Sequence, residues 1–254
     1  MLFYRIFSFV IPIVNGILIS LLFWRVNLIY PVLIVLGLVS FFGPWCLINK
    51  KVLIKKELFF YAFFGLLQVL SGLFFFLFLE NFFIKIVLAL IIVILNFIYL
   101  NELFIQFYKK TTVQPEKLWA IFYSIQISSI FFIASNFFGL RDFLSIPFIY
   151  LLLIFFILVI ILSRYNNFQD YSLKINPKWF RVIIAFIISQ IFWAISLLPQ
   201  VYYLKGILVA LFYSIIINLI IWQLGQKVQT KLIRSYLIIS IIVILLILFT
   251  SQWF

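Results

Sequence analysis

The sequence predicts an all-α protein, a polytopic helical transmembrane bundle of about nine membrane-spanning helices arranged as four hairpins plus one C-terminal helix. Apolar stretches follow one another along almost the whole 254-residue chain, and lysine and arginine occupy every second gap between them. A bilayer core about 30 Å thick requires roughly 20 helical residues per crossing. The two-residue alternation of a membrane-spanning barrel is missing. No connecting segment is long enough for a hydrophobic core of its own. Residues 1–254 are therefore expected to form a single integral membrane domain, with no soluble domain.

The composition excludes a water-soluble globular domain. Hydrophobic residues make up 67% of the chain and charged residues only 10%, whereas soluble domains carry about 25% charged residues. Hydrocarbon must therefore contact most of the surface. The single cysteine, Cys46, lies in an apolar stretch and is predicted to be a small buried side chain. Histidine is absent, which removes the commonest proton shuttle and metal ligand.

The first hairpin is predicted from the apolar stretches 6–24 and 28–48, joined by a tight turn at 25–27. Arg5 precedes the first stretch, as a basic residue does in a signal peptide. The stretch is too long for a signal peptide, and no cleavage site of small residues follows it. A retained first helix is therefore expected.

The second hairpin is predicted from residues 58–79 and 82–107, with a turn at 80–81. A longer basic segment, 49–57, separates it from the first hairpin, and a similar segment, 108–117, follows it. This alternation of short turns with long basic gaps is the reason for pairing the helices as hairpins.

The third hairpin is predicted from residues 118–138 and 143–163, with a turn at 139–142. Pro115 precedes its first apolar stretch. Proline is favoured at the first helical position because the N–H group that it lacks would have no partner there. The sequence therefore predicts a helix start at or near Pro115.

The fourth hairpin is predicted from residues 180–198 and 204–224, with a turn at 199–203. Pro177 marks its start for the same reason as Pro115. The stretch 234–252 is long enough for a ninth helix. An odd number of crossings would place the two chain ends on opposite sides of the membrane.

The distribution of basic residues predicts the orientation. Fifteen of the nineteen lysine and arginine residues lie near the N-terminus, in the longer gaps or at the helix ends beside them. Short loops rich in lysine and arginine remain in the cytoplasm. The protein is therefore expected in the cell membrane, with its N-terminus in the cytoplasm, the hairpin turns outside and Phe254 outside. The cytoplasmic basic loops would face anionic lipid headgroups.

Six charged residues lie at or beside the expected outer turns. The favoured interpretation is that they are isolated, solvated charges at the membrane interface, with one cation per turn. The alternative is that the hairpins form a ring and that the four cations surround a vestibule that attracts anions. The six residues are Arg25, Glu80, Lys85, Arg141, Asp142 and Lys205.

Polar amides recur inside the apolar helices. The first helix of each hairpin has one near its middle, at spacings of 53, 58 and 64 residues, which suggests a fourfold hairpin array with odd-numbered helices facing inward. The favoured role is hydrogen bonding across helix interfaces, and the alternative is a polar path for a neutral solute. These amides are Asn15, Gln68, Gln126 and Gln190, with Asn96 and Asn218 in the fourth and eighth helices.

No catalytic, cofactor-binding or metal-binding residue is predicted, and no cofactor is expected. The acidic residues lie in loops or near helix ends, so no carboxylate at the membrane midplane is available for proton coupling. The sequence has no His/Cys cluster, glycine-rich phosphate loop or nucleophile elbow. Membrane topology explains the basic residues, so no nucleic-acid partner is expected.

Three functions are compatible with these observations. The first is a non-enzymatic membrane subunit or scaffold that packs against a membrane protein partner. The second is a carrier or channel for a neutral or anionic small molecule or lipid. The third is an enzyme that acts on a lipid-linked substrate at the outer turns. Short loops and the absence of buried charge and histidine favour the first.

Overall fold

The computed structural model describes residues 2–47, 55–108, 115–163, 177–223, 238, 241–245 and 249. These residues contain helices and no strand, which confirms the predicted all-α class. The elements are α1 (Leu2–Trp24), a single 3-10 turn (Val26–Leu28), α2 (Ile29–Leu47), α3 (Lys55–Phe78), α4 (Phe82–Tyr108), α5 (Pro115–Leu144), α6 (Phe148–Leu162), α7 (Pro177–Ser196) and α8 (Tyr202–Gln223). Most of the ninth predicted helix lies outside the described residues.

Seven of the described helices are long and apolar enough to cross a bilayer, which supports a multi-pass membrane protein. Helix α6 is equally apolar but has only 15 residues, a length of about 22 Å at 1.5 Å per residue. The seven candidate spans are Arg5–Trp24, Ile29–Leu47, Leu58–Phe78, Phe82–Ile105, Phe122–Leu144, Trp179–Ser196 and Tyr202–Ile220.

The two helix starts predicted from proline are confirmed, since α5 begins at Pro115 and α7 begins at Pro177. The turn predicted at 139–142 is wrong, because α5 continues through these residues to Leu144. The chain turns instead at 145–147, where Ser145 has a φ of 53° and Pro147 caps α6. A left-handed residue followed by a proline ends a helix, whereas a lone glycine such as Gly139 does not.

The chain divides into two compact units, unit 1 (Met1–Ser129) and unit 2 (Ile130–Phe254). In unit 1 each of α1 to α4 packs against the next, and α4 returns to α1. The ring pairs Phe9–Phe97 (5.1 Å) and Phe23–Phe82 (5.4 Å) run in opposite sequence directions, so α1 and α4 are antiparallel. Unit 1 is therefore built around an antiparallel four-helix bundle.

Close backbone approach holds α3 against its neighbours in unit 1. A Cβ atom on Gly65 would lie 2.9 Å from the Tyr99 ring and 3.5 Å from the Ser40 carbonyl oxygen. The buried Tyr99 hydroxyl donates a 2.6 Å hydrogen bond to the Tyr61 carbonyl oxygen. A small residue at position 65 thus allows three helices to meet at one level.

In unit 2, α6 packs against α7 and α7 against α8. The second half of α5 contacts α6 through the Phe137–Phe155 ring pair and α8 through Ser135, which lies directly against Gly206. The Gly206 position has no room for a side chain, because a Cβ atom there would be 3.0 Å from both the backbone nitrogen and the Cβ of Ser135.

Replacing Gly206 with alanine is expected to destabilise unit 2 by about 1–3 kcal/mol, because α8 must move away from α5 to admit the methyl group. Gly37→Ala is the matched control, since its nearest neighbour, Leu66 Cδ1, would be at an ordinary 3.7 Å. The melting temperature of the purified protein in detergent should fall for Gly206→Ala and stay level or rise for Gly37→Ala. Equal melting of both variants would contradict this packing.

Candidate functional site

The buried amides of unit 1 form one polar level inside the bundle, which we term the amide layer. It consists of Asn15 on α1, Ser40 on α2, Gln68 on α3 and Asn96 on α4, each at most 2% exposed. The Asn15 Nδ2 group donates a 3.2 Å hydrogen bond to the Ser40 Oγ atom. Asn96 lies at about the same level along the bundle as Asn15, because Gly16 approaches Val93, which is within one helical turn of Asn96. Gln68 lies at about the level of Ser40, because Gly65, within one helical turn of Gln68, approaches Ser40.

The amide layer has unused hydrogen-bonding capacity. Among the described residues, Asn15 Oδ1, Asn96 Oδ1 and both polar atoms of the Gln68 amide are buried without a hydrogen-bond partner. Leaving such a group unpaired costs about 1–3 kcal/mol. Buried polar groups usually bond to protein or to ordered water, so the layer is chemically suited to hold water or a neutral polar molecule.

The remaining three amides lie on α5, α7 and α8. Gln126 is buried on α5, whereas Gln190 is exposed on α7. Asn218 on α8 is partly buried, and its Nδ2 group lies 3.5 Å from Ser214 Oγ in the same helix. Ser40 was not identified from the sequence, because a serine in an apolar helix carries no signal of which neighbour it faces.

Most serine hydroxyls in the helices are satisfied by their own backbone. Ser128 and Ser129 both donate to the Ile125 carbonyl oxygen, at 2.8 and 2.9 Å, and Ser163 donates to Val159 at 2.6 Å. Such bonds to a preceding turn are the usual way for serine to be accommodated in an apolar helix. These hydroxyls are therefore structural.

Three of the six charges predicted at the outer turns lie in unit 1. Arg25 and Glu80 are exposed, as solvated interfacial charges should be. Lys85 is partly exposed, with its ammonium group 5.5 Å from the centre of the Phe76 ring. These positions agree with the favoured interpretation of one solvated charge per turn.

The other three outer charges lie in unit 2, where the arrangement differs. Asp142 is exposed and Arg141 partly exposed, whereas Lys205 is only 6% exposed. The interpretation of Lys205 as a solvated charge is therefore wrong. In the first turn of α8, its side chain packs against α5 instead, with the ammonium group 5.7 Å from the centre of the Phe138 ring.

Lys205 belongs to a group of five side chains, which we term the basic–aromatic cluster: Arg141, Lys205, Phe138, Phe148 and Phe192. Phe192 stacks on Phe138 at 4.4 Å and on Phe148 at 5.4 Å, and also on Phe155 at 4.3 Å. Arg141 lies over the Phe148 ring at 5.0 Å. Each cation thus lies over a ring that stacks on Phe192, where the ring quadrupole attracts it.

Arg141 is also held by a polar contact. Its guanidinium group donates a 3.1 Å hydrogen bond to the carbonyl oxygen of Ser196, the last residue of α7. A cation at a helix C-terminus is stabilised by the helix dipole. This contact fixes the position of the guanidinium group and leaves its other N–H groups available.

The described residues offer no candidate metal site. Within the described residues, no three side chains among histidine, cysteine, aspartate and glutamate lie close enough to hold a metal ion. The prediction of a buried Cys46 is wrong, since its side chain is exposed on α2.

Comparison of the chain with protein-family models, with curated proteins and with solved structures finds no match.

Substitutions at Gln68 and at Asn15 in the amide layer are expected to change stability in opposite directions. Gln68→Met is expected to raise the melting temperature in detergent, because it removes two unpaired polar atoms without changing side-chain volume greatly. Asn15→Leu is expected to lower stability by about 1 kcal/mol, because it removes the hydrogen bond to Ser40. If Gln68→Met lowers stability as much as Asn15→Leu, the Gln68 amide has a bound partner such as water.

Proposed function

We propose that this protein is a non-enzymatic subunit or scaffold of a membrane assembly and that it docks through one face of α7. The observation that carries the proposal is the exposure of Gln190 near the middle of this candidate span. In hydrocarbon an amide without a partner is costly, and pairing across a helix interface contributes about 0.6–2 kcal/mol. An amide on the outer surface of a spanning helix therefore favours association with a second helix.

The residues around Gln190 form a continuous apolar stripe, which we term the exposed α7 face. Its members recur every three or four positions, the spacing of one helix face. The opposite face of α7 is buried, with Ile184, Ile188 and Phe192 in the core. The exposed α7 face consists of Ile183, Phe186, Ile187, Gln190, Trp193 and Leu197.

Replacing Gln190 with leucine is expected to weaken assembly while leaving the fold intact, because the side chain makes no contribution to the buried face. The measurement is the size of the tagged protein's complex on native gels after mild detergent extraction. Gln190→Asn should retain more of the complex than Gln190→Leu, and Ser20→Leu, at an exposed polar position on α1, should change nothing. An unchanged complex in Gln190→Leu would refute docking through this face.

A second candidate is a carrier for a neutral polar molecule, and the unpaired atoms of the amide layer favour it. Such a molecule would replace the missing hydrogen bonds of Gln68, Asn15 and Asn96. Solute flux into liposomes that falls in Gln68→Met while folding is retained would support the carrier over the scaffold.

We further propose that the protein lies in the cell membrane with its N-terminus in the cytoplasm, because most lysine and arginine residues lie in alternate gaps. The basic loops would then interact with anionic headgroups of the cytoplasmic leaflet. The odd number of predicted spans would place the C-terminus outside.

The proposed orientation is tested by cysteine accessibility in a Cys46→Ala background. A membrane-impermeant maleimide added to intact cells should label Asn27→Cys, at the exposed first turn, because that turn is expected outside. It should label Lys51→Cys only after the cells are opened. The reverse pattern would invert the topology.

A further inference from the structure

We propose that the basic–aromatic cluster of unit 2 binds a phosphate group, supplied by a lipid headgroup or by a soluble phosphate ester. This inference is independent of docking through α7. It rests on a lysine side chain that is 94% buried and forms no ion pair within the described residues, on a second cation held nearby, and on the position of both at one end of the helices of unit 2.

All four helices that the structure describes in unit 2, counting α5 from residue 130 onward, contribute to this end. Phe138 and Arg141 lie in the last turns of α5, Phe148 begins α6, Phe192 lies near the end of α7, and Lys205 lies in the first turn of α8. In a membrane-spanning bundle, helix ends lie at the depth of the headgroups, where lipid phosphates are found. The cluster therefore lies where a phosphate group is available.

The charges of the cluster are not balanced within the described part of the chain. Lys205 is 94% buried, since only 6% of it is exposed. Within the described residues its ammonium group has neither an ion pair nor a hydrogen bond. Arg141 and Asp142 are close enough to influence Lys205 electrostatically. Asp142 attracts the Lys205 ammonium group, whereas Arg141 repels it. A bound anion would offset both the repulsion and the loss of hydration.

The two cations have complementary recognition chemistry. Arginine offers a planar array of N–H donors that matches a phosphate, while lysine adds a compact point charge. The guanidinium group of Arg141 is already oriented by Ser196 and by the Phe148 ring, so little additional ordering is needed on binding.

The test uses the full-length protein purified in dodecyl maltoside and three probes. Dioleoylphosphatidylglycerol carries both the phosphate and the acyl chains, dioleoylglycerol carries the chains alone, and glycerol 3-phosphate carries the phosphate alone. Binding is measured by the shift in melting temperature and by the occupancy of adducts in native mass spectrometry. Phosphatidylglycerol should bind and dioleoylglycerol should not. Competition by glycerol 3-phosphate at comparable concentration would indicate a soluble ester as the source of the phosphate.

Lys205→Gln should weaken the binding of phosphatidylglycerol by about tenfold or more, because a charge-assisted hydrogen bond is lost. Lys205→Arg, which keeps the charge, should bind more tightly than Lys205→Gln. Asp142→Asn should strengthen binding, because it removes a carboxylate that acts on Lys205. That gain keeps the test decisive even if Lys205→Gln does not fold. Arg25→Gln, an exposed cation in unit 1, is the matched control.

The proposal is overturned if the wild-type protein binds none of the phosphate probes. It is also overturned if Arg25→Gln weakens binding as much as Lys205→Gln, since binding would then follow net charge, or if Asp142→Asn leaves the affinity unchanged.

Discussion

The structure depends on one constraint, which is that hydrocarbon offers no hydrogen-bond partner to a polar group. Helices satisfy this constraint for the backbone, because each N–H group bonds within its own segment. Several serine side chains obey the same rule, since Ser8, Ser20 and Ser71 each donate to a carbonyl oxygen three residues earlier. A chain with 10% charged residues can thus be almost continuously helical and still leave few polar groups unpaired.

Three kinds of exception to this constraint are informative. The Asn15 Nδ2 group donates to Ser40, but its Oδ1 atom accepts no hydrogen bond, and the Gln68 amide has no partner among the described residues. Gln190 is exposed on α7 in unit 2, and Lys205 is buried in a group of aromatic rings. Each exception indicates a different missing partner: water or a neutral solute, another helix, or an anion.

The two cations of the basic–aromatic cluster show how an apolar chain can accommodate charge. Arg141 bonds to the end of α7, and both it and Lys205 lie over aromatic rings. Rings provide part of the electrostatic stabilisation that water would provide, without requiring a counter-charge. They do not neutralise the positive charge, however, and this charge is the basis for proposing an anion site at the end of unit 2.

The sequence by itself determined the class, the approximate positions of the helices and the starts at Pro115 and Pro177, because span length, hydropathy and the geometry of proline are local properties. Only the tertiary structure decided which side of a helix is buried. Successive residues are separated by about 100° around a helix axis, and in an almost uniformly apolar segment no pattern marks the inner face. Thus Gln68 and Gln190, which have similar positions in their segments, lie on opposite kinds of surface. The burial of Lys205 likewise required rings from helices distant in sequence, which hydropathy does not reveal.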